Sequence, residues 1–304
     1  MVARRSCLSV PGSSKKMLAK SRSLPADELV IDLEDSVAPD AKAKARASVA
    51  RLIGQGQFED HSLAVRINGP ATHWCHRDVI EVIAGAGEAL GSLVVPKVES
   101  PGELEFVDRL TGMVEHECGR DAPVALQALI ETATGLRNVH VIAQASPRLE
   151  TLIVGYADLS ASLGLPLGGQ DSGDRWQYVL ETVLVAARSA GLQAIDGPYL
   201  AVEDHDGFRA AAQRARAMGY DGKWALHPTQ IDLLNELFAP TAEEFARACA
   251  VLDALEAGER EEGRGALMLD GSMIDEASRK LAAQVVARGT ASGAGTPRSG
   301  KDRL

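Results

Sequence analysis

The sequence predicts a (β/α)8 barrel followed by a C-terminal helical lid. Three observations predict it. Short apolar runs alternate with helical stretches from Arg5 to Leu237. The alternation gives eight strand–helix units in about 240 residues, the count and length of such a barrel. Acidic residues stand at the ends of several apolar runs, where parallel sheets place their ligands. A doubly wound open sheet shares the alternation, because periodicity does not report closure. The count of eight units favours the barrel.

The elements follow in order. Arg5 to Pro11 is a short apolar run, and Lys15 to Ser23 reads as its helix. Leu29 to Leu33 is the second run, and Asp40 is placed to cap an Ala-, Lys- and Arg-rich helix ending near Ile53. Leu63 to Ile67 is the third strand, followed by a helical stretch from His76 to Gly85. Ser92 to Pro96 is the fourth, with a helix from Gly102 to Glu117. Val124 to Ile130 and Leu152 to Tyr156 are the fifth and sixth, separated by a helix from Gly135 to Ala145. Trp176 to Gly191 is a long Ala-, Val- and Leu-rich helix. Gln193 to Ile195 is the seventh strand, with Phe208 to Met218 helical after it. Lys223 to Leu226 is the eighth, and Thr229 to Leu237 closes the series. Gly87, Gly191 and Gly219 each follow a helical stretch, as C-terminal caps do.

The character changes at Pro240, so the barrel is expected over 1–239 and a lid or docking arm over 240–288. Thr241-Ala-Glu-Glu opens a helix by the capping-box pattern, running to Leu255. A charged link, Glu256 to Gly265, leads to Ala266–Asp275 and a final helix to Arg288. Residues 289–304 are rich in Gly, Ser, Thr and Arg and are expected to be disordered.

Apolar residues make up 45% of the 304, enough for a sizeable core, and the formal net charge is -10. An acidic surface argues against nucleic acid and anionic membrane as partners. It leaves room for a local cationic pocket that takes small anions. Cys7, Cys75, Cys118 and Cys249 are widely spaced, which reads as reduced thiols in a cytoplasmic protein. No apolar stretch approaches the roughly 18 residues of a membrane span. The start, Met-Val-Ala-Arg-Arg-Ser-Cys, lacks a signal-peptide apolar region.

Glu131 and Asp158 each close an apolar run, at the carboxyl ends of the fifth and sixth strands. Two such acids can share one Mg²⁺, which uses one or two carboxylates and fills its shell with water and substrate oxygens. Asp158 can instead cap a helix over Leu159–Leu163. Arg66 ends the third strand, where a guanidinium can fork onto a carboxylate or enolate, or pair with Glu34 or Asp35 at the rim. Asp32, Glu34 and Asp35 end a buried strand and each needs a cation, water or donor. His227 after the eighth strand and Lys97 after the fourth face either the mouth or a helix start.

These residues fall in motifs that resemble the citrate lyase β-subunit-like family, which includes malyl-CoA and citramalyl-CoA lyases. The matching pieces are Arg5-Ser-x-Leu-x-Val-Pro-Gly12, Asp32-Leu-Glu-Asp-Ser-Val-Ala-Pro39, Val65-Arg-Ile-Asn-Gly69 and Val95-Pro-Lys-Val98. Ile130-Glu-Thr-Ala-x-Gly135, Gly155-x-Ala-Asp-Leu159, Asp196-Gly-Pro198, Gly222-Lys-Trp-Ala-Leu-His-Pro228 and Gly271-Ser-Met-Ile-Asp275 follow in family order. The resemblance implies a barrel with a lid, trimeric or hexameric, with Mg²⁺ on Glu131 and Asp158 and Arg66 on the substrate. It implies that Asp275 enters a neighbouring subunit's site, and that Glu131 and Ala157 join Arg66 around the substrate. Coenzyme A contacts are implied near Ser9, Lys20, Leu226 and His227. A basic family contact falls on Ser14 here, with Lys15 or Lys16 as possible substitutes. The stretch between Gly164 and Trp176 looks shorter than in bacterial malyl-CoA lyases, and that region bears on substrate choice.

The expected activity is a Mg²⁺-dependent carbon–carbon lyase on a 3-hydroxyacyl-CoA, with Arg66, Asp275, Glu34 and Asp35 as catalytic candidates. The alternatives are a citrate lyase β-subunit acting on a carrier-bound citryl thioester, a CoA-independent hydroxy-keto-acid aldolase, and a non-catalytic structural barrel.

Overall fold

The computed structural model describes residues 2–58, 61–165 and 173–293. Eight strands close into a parallel barrel in chain order. They are β1 (Ser6–Pro11), β2 (Glu28–Asp32), β3 (Ser62–Arg66), β4 (Ser92–Val95), β5 (Ala125–Ile130), β6 (Leu149–Val154), β7 (Gln193–Asp196) and β8 (Gly222–Ala225). Closure runs through β8 on β1, from Ser6 opposite Lys223 to Leu8 opposite Ala225. The surrounding helices are α1 (Lys15–Ser21), α2 (Lys42–Gly54), α3 (Cys75–Ala86), α4 (Pro101–Cys118), α5 (Ala133–Arg137), α6 (Val139–Ile142), α7 (Tyr156–Ser162), α8 (Gly173–Ser189), α9 (His205–Met218) and α10 (Ile231–Phe238).

The interior is layered, because alternate residues of a strand face the same side. Along β2 these are Glu28, Val30 and Asp32; β5 and the residue after it give Gln127, Leu129 and Glu131. The floor is polar. Glu28 is fully buried and accepts from Arg4 Nε and Gln127 Nε2, each at 2.9 Å. Since β2 and β5 are not neighbours, the Gln127 bond crosses the barrel. Gln127 also donates to Ser92 Oγ at 2.8 Å, and Arg4 reaches Glu150 at 2.8 Å. The middle is a buried cluster with one residue from every strand: Cys7, Val30, Ala64, Val94, Leu129, Ile153, Ile195 and Trp224. Asp32, Arg66 and Glu131 lie one step further along their strands, at the carboxyl-terminal mouth.

A separate compact unit begins at Glu236. It contains α11 (Ala242–Glu262), a hairpin of β9 (Leu267–Leu269) and β10 (Ser272–Ile274), and α12 (Glu276–Ala291). Its core is Ala248, Val251, Leu255, Ile274 and Ala282. The capping box expected at Thr241 is present: Glu244 N–H donates to Thr241 Oγ1 at 3.1 Å, and Thr241 N–H donates to Glu244 Oε2 at 2.8 Å.

Several expectations are corrected. Asp40 does not cap α2; it lies in a 3-10 turn, Pro39–Ala41, that Pro39 begins, and Ala41 takes the cap position. The helix expected from Gly135 to Ala145 is broken at Asn138, whose amide donates to Glu99 O at 2.8 Å. The link from Glu256 is helix as far as Glu262, and ends at Gly263 with φ 62°. The hairpin was not expected. Asp270 and Gly271 at its turn have φ 48° and 77°, the positive pair a type I′ turn demands. α12 continues to Ala291, past Arg288 and into the segment expected to be disordered. Residues 294–304, and the 166–172 part of the stretch tied to substrate choice, lie outside the described residues.

All four cysteines are free thiols, with Cys7 and Cys75 buried. Among the described residues no helix is long and apolar enough to cross a membrane.

Candidate functional site

Arg66 is the last residue of β3 and is 9% exposed. Its Nε and Nη2 each donate at 2.8 Å to the two carboxylate oxygens of Asp32 on the neighbouring strand. Burial alone would raise Asp32, but this fork and the N–H groups of Ser36 and Glu34 hold its carboxyl below the usual range. Arg66 Nη1 lies 3.1 Å from Glu34 Oε2, an ion pair without hydrogen-bond alignment. The guanidinium also sits 5.6 Å from the Trp224 ring centroid, so it spans the mouth from β3 toward β8. Arg66 is thus at the mouth and paired with acids there: the expected rim pair with Glu34 is present, and Asp32 is its main partner.

Glu131 follows β5 and is 2% exposed. Its Oε1 accepts from the Lys97 backbone N–H at 2.9 Å. Burial, and then the nearby Asp158 charge, push its carboxyl up to about 8. Asp158 is the third residue of α7; Gly155 holds the cap position, so Asp158 is not the N-cap. Its side chain is half-buried, with Oδ1 3.6 Å from Lys97 Nζ. Glu34 is buried, which raises its carboxyl despite Arg66 and Lys97 alongside. Asp35 is more exposed and lies 3.4 Å from Lys97 Nζ.

The donor set fits Mg²⁺. Among the described residues, no group of three or more His, Cys, Asp or Glu side chains forms a complete protein cage. Magnesium asks for less, one or two carboxylates with the rest supplied by water and substrate. A Glu131 whose carboxyl is driven up by burial and then by a second acid would be relieved by a dication held by the two.

Gly155 makes room for Glu131. A Cβ there would stand 2.4 Å from Glu131 Cβ and 2.6 Å from Oε2. The Gly155→Ala variant is expected to fold and to bind Mn²⁺ about ten- to a hundredfold more weakly, the scale of losing a residue that orients a ligand. A Mn²⁺ titration with wild-type affinity would assign this glycine to packing alone.

The remaining predicted residues lie on α1, after β8, on α7 and in the C-terminal unit. Lys20 is exposed on α1, and Ser14 caps that helix by accepting from Met17 N–H at 3.4 Å. Leu226 is half-buried and His227 exposed after β8, beside β1 in the barrel. His227 begins a 3-10 turn, its Nδ1 2.8 Å from Thr229 Oγ1. Ala157 is exposed at the second position of α7. Asp275, in the C-terminal unit, is the N-cap of α12. N–H donation from Ser278, with smaller help from the Ser278 hydroxyl and Ala277, holds its carboxyl below the usual range.

Two features go beyond the sequence expectations. One is Lys97, expected either at the mouth or at a helix start: it is at the mouth and touches every acid there except Asp32. The other is a buried trio: Lys223 Nζ donates to Asp196 Oδ2 at 2.6 Å, and Tyr156 Oη donates to Asp196 Oδ1 at 2.5 Å. The trio anchors the start of α7, two residues before Asp158. A lysine within the eighth apolar run was its signal, since a buried ammonium requires a carboxylate.

The chain is a closed (β/α)8 barrel with two carboxylates and a guanidinium at its carboxyl-terminal mouth, the end where barrels of this kind place their ligands. The family model "HpcH/HpaI aldolase/citrate lyase" matches residues 5–228, and the chain belongs to that family. It is 37% identical over 291 residues to an L-malyl-CoA/beta-methylmalyl-CoA lyase of Cereibacter sphaeroides, covering 91% of each chain. A (3S)-malyl-CoA thioesterase of the same species is 35% identical, over 94% of this chain and 95% of the relative. Among solved structures, the Mycobacterium tuberculosis protein CitE in complex with magnesium, acetoacetate and coenzyme A is 29% identical. It has a TM-score of 0.71 and covers 95% of this chain and 98% of that one.

Proposed function

We infer that this chain is a Mg²⁺-dependent carbon–carbon lyase of coenzyme A esters, cleaving or forming a 3-hydroxyacyl-CoA such as malyl-CoA or citramalyl-CoA. The observation that carries the reading is the Glu131–Asp158 pair at the mouth shared with Arg66. The malyl-CoA lyase relative and the coenzyme A complex of the tuberculosis protein support it. Held by Glu131 and Asp158, magnesium would supply Lewis-acid chemistry, acidifying a hydroxyl and polarising a carbonyl.

The protein's own groups do the rest. In the cleavage direction the hydroxyl gives its proton to water at the mouth, the carbon–carbon bond breaks to leave glyoxylate or pyruvate, and its electron pair forms the enolate of acetyl-CoA, which takes up one proton at the methyl carbon. Arg66 has N–H groups beyond its Asp32 fork and stabilises charge that develops on oxygen. Glu34 and Asp35 keep Lys97 and Arg66 oriented. Ala157 and the start of α7 border the oxo acid, while Lys20, Leu226 and His227 line the coenzyme A approach near β1 and β8. Asp275 is assigned the proton transfer at the acetyl methyl carbon. As a capping carboxylate it is held ionised, so its basicity depends on losing water contact. The C-terminal unit exposes Met268, Met273 and Leu281, which suits a docking arm and a homotrimer or hexamer with shared sites. Free buried thiols suit a cytoplasmic enzyme.

The direct test is a panel of 3-hydroxyacyl thioesters, on coenzyme A and on carrier protein, assayed with and without Mg²⁺. Release of glyoxylate or pyruvate with intact acetyl-CoA supports the lyase. Free coenzyme A with no oxo acid points to a thioesterase, as in the second relative. For Asp275→Asn the expected outcome is an assembled protein that binds Mn²⁺ but no longer exchanges acetyl-CoA methyl protons with solvent. Hybrids of Asp275→Asn with Glu131→Ala are expected to recover activity, because one interface regains both residues. No recovery in verified hybrids removes the shared-site reading.

A further inference from the structure

We propose that Lys97 is a tethered counter-cation and positioning residue of the metal site: its ammonium limits how tightly the site takes a dication, while its backbone N–H holds Glu131 in place. The inference rests on the metal reading of Glu131 and Asp158.

Two independent features carry it. The first is the backbone. Lys97 has φ 52°, a left-handed conformation that non-glycine residues rarely adopt. It stands between the end of β4 at Val95 and the Ser100 cap of α4, where the chain turns. The next residue ties the turn to β5, with Val98 N–H donating to Leu129 O at 3.4 Å. In this conformation the Lys97 N–H points at Glu131 Oε1. Unusual backbone held in this way is a feature of functional sites.

The second feature is the side chain. Its Nζ contacts Glu34 Oε1, Asp35 Oδ2 at 3.4 Å and Asp158 Oδ1 at 3.6 Å. It therefore bridges acids that follow β2 to the acid on α7. Arg66 is already committed to Asp32 and Glu34, so Lys97 is the cation closest to Asp158 among the ion pairs of the mouth. A dication on Asp158 and Glu131 meets this ammonium at a few ångströms, where like charges repel strongly at protein dielectric. The same ammonium attracts an anionic oxo acid. Metal and oxo acid are thus coupled through one side chain: the anion offsets the repulsion that the bare metal experiences.

The test separates backbone from charge. Mn²⁺ is the probe, a hard oxygen-seeking dication, and its free concentration is read by electron spin resonance. Lys97→Gly keeps the left-handed turn and the N–H but removes the charge; Mn²⁺ affinity is expected to rise about tenfold. Pyruvate or glyoxylate should then strengthen Mn²⁺ binding by a smaller factor than in wild type. Lys97→Arg keeps the charge and is expected to stay near wild-type affinity. Lys97→Val resists a positive φ, so it should move the N–H from Glu131 and bind Mn²⁺ about tenfold more weakly than Lys97→Gly. Should the valine variant fail to melt cooperatively, the glycine and arginine variants decide. A glycine variant with unchanged or weaker affinity overturns the counter-cation role, and a folded valine variant equal to the glycine one overturns the positioning role. A wild type that binds no Mn²⁺ at all overturns the metal reading itself, and this inference with it.

Discussion

In a Glu131→Gln variant, Mg²⁺-dependent thioester cleavage is expected to fall at least about a hundredfold, because the metal's contribution is several kcal/mol of transition-state stabilisation. The protein should remain folded, with a melting temperature at or above wild type. Glutamine has the shape of the protonated acid and removes a carboxyl that burial and Asp158 already disfavour as an anion. It can still accept from the Lys97 N–H, so the loss is charge and not geometry. Asp158→Asn should lose cleavage on the same scale, and Mn²⁺ titration should show weakened binding in both. Full activity of either variant in the presence of a chelator would falsify the metal assignment.

Arg66→Lys is expected to lower kcat about a hundredfold, the scale of removing one electrostatic stabiliser, with Mn²⁺ affinity little changed. The replacement keeps a positive charge near Asp32, but a lysine cannot reproduce two parallel bonds at 2.8 Å and still reach Glu34. Buried Asp32 then loses part of its compensation, so a lower melting temperature should accompany the kinetic loss. Stopped single-turnover cleavage separates the two effects. An unchanged single-turnover rate in a destabilised variant would mean that Arg66 serves only the rim ion pairs.

The barrel was legible in the sequence because each strand is a separate apolar run with its own helix, and eight such units leave little choice of architecture. The placement of Glu131, Asp158 and Arg66 at the mouth was legible because each charge stands at the end of a buried apolar run. Lys97 was legible only as a choice between the mouth and a helix start. A lysine after a strand is common, and nothing local reveals that its backbone turns left-handed or that its ammonium meets acids 62 and 63 positions earlier. The Lys223–Asp196–Tyr156 trio is not legible for a related reason: its members come from inside β8, the end of β7 and the start of α7, and pairing across a closed sheet has no sequence period. The Asp270-Gly271 turn is a local signal, but its two strands are only three residues each, too short to stand out as alternating runs.

The polar floor has a consequence for how the barrel folds. Arg4, Glu28, Gln127 and Glu150 come from the start of the chain, β2, β5 and β6, so the pairing is complete only when both halves of the cylinder are present. A half-barrel of the first four strands would bury Glu28 without Gln127 and leave Arg4 short of Glu150. In such a species Arg4 and Glu28 keep each other, but Glu28 lacks its amide donor and Arg4 its second acid, so the buried pair is under-satisfied, which is costly, whereas an apolar floor would tolerate it. The floor thus penalises stable partial barrels and pushes the eight units toward a single cooperative transition.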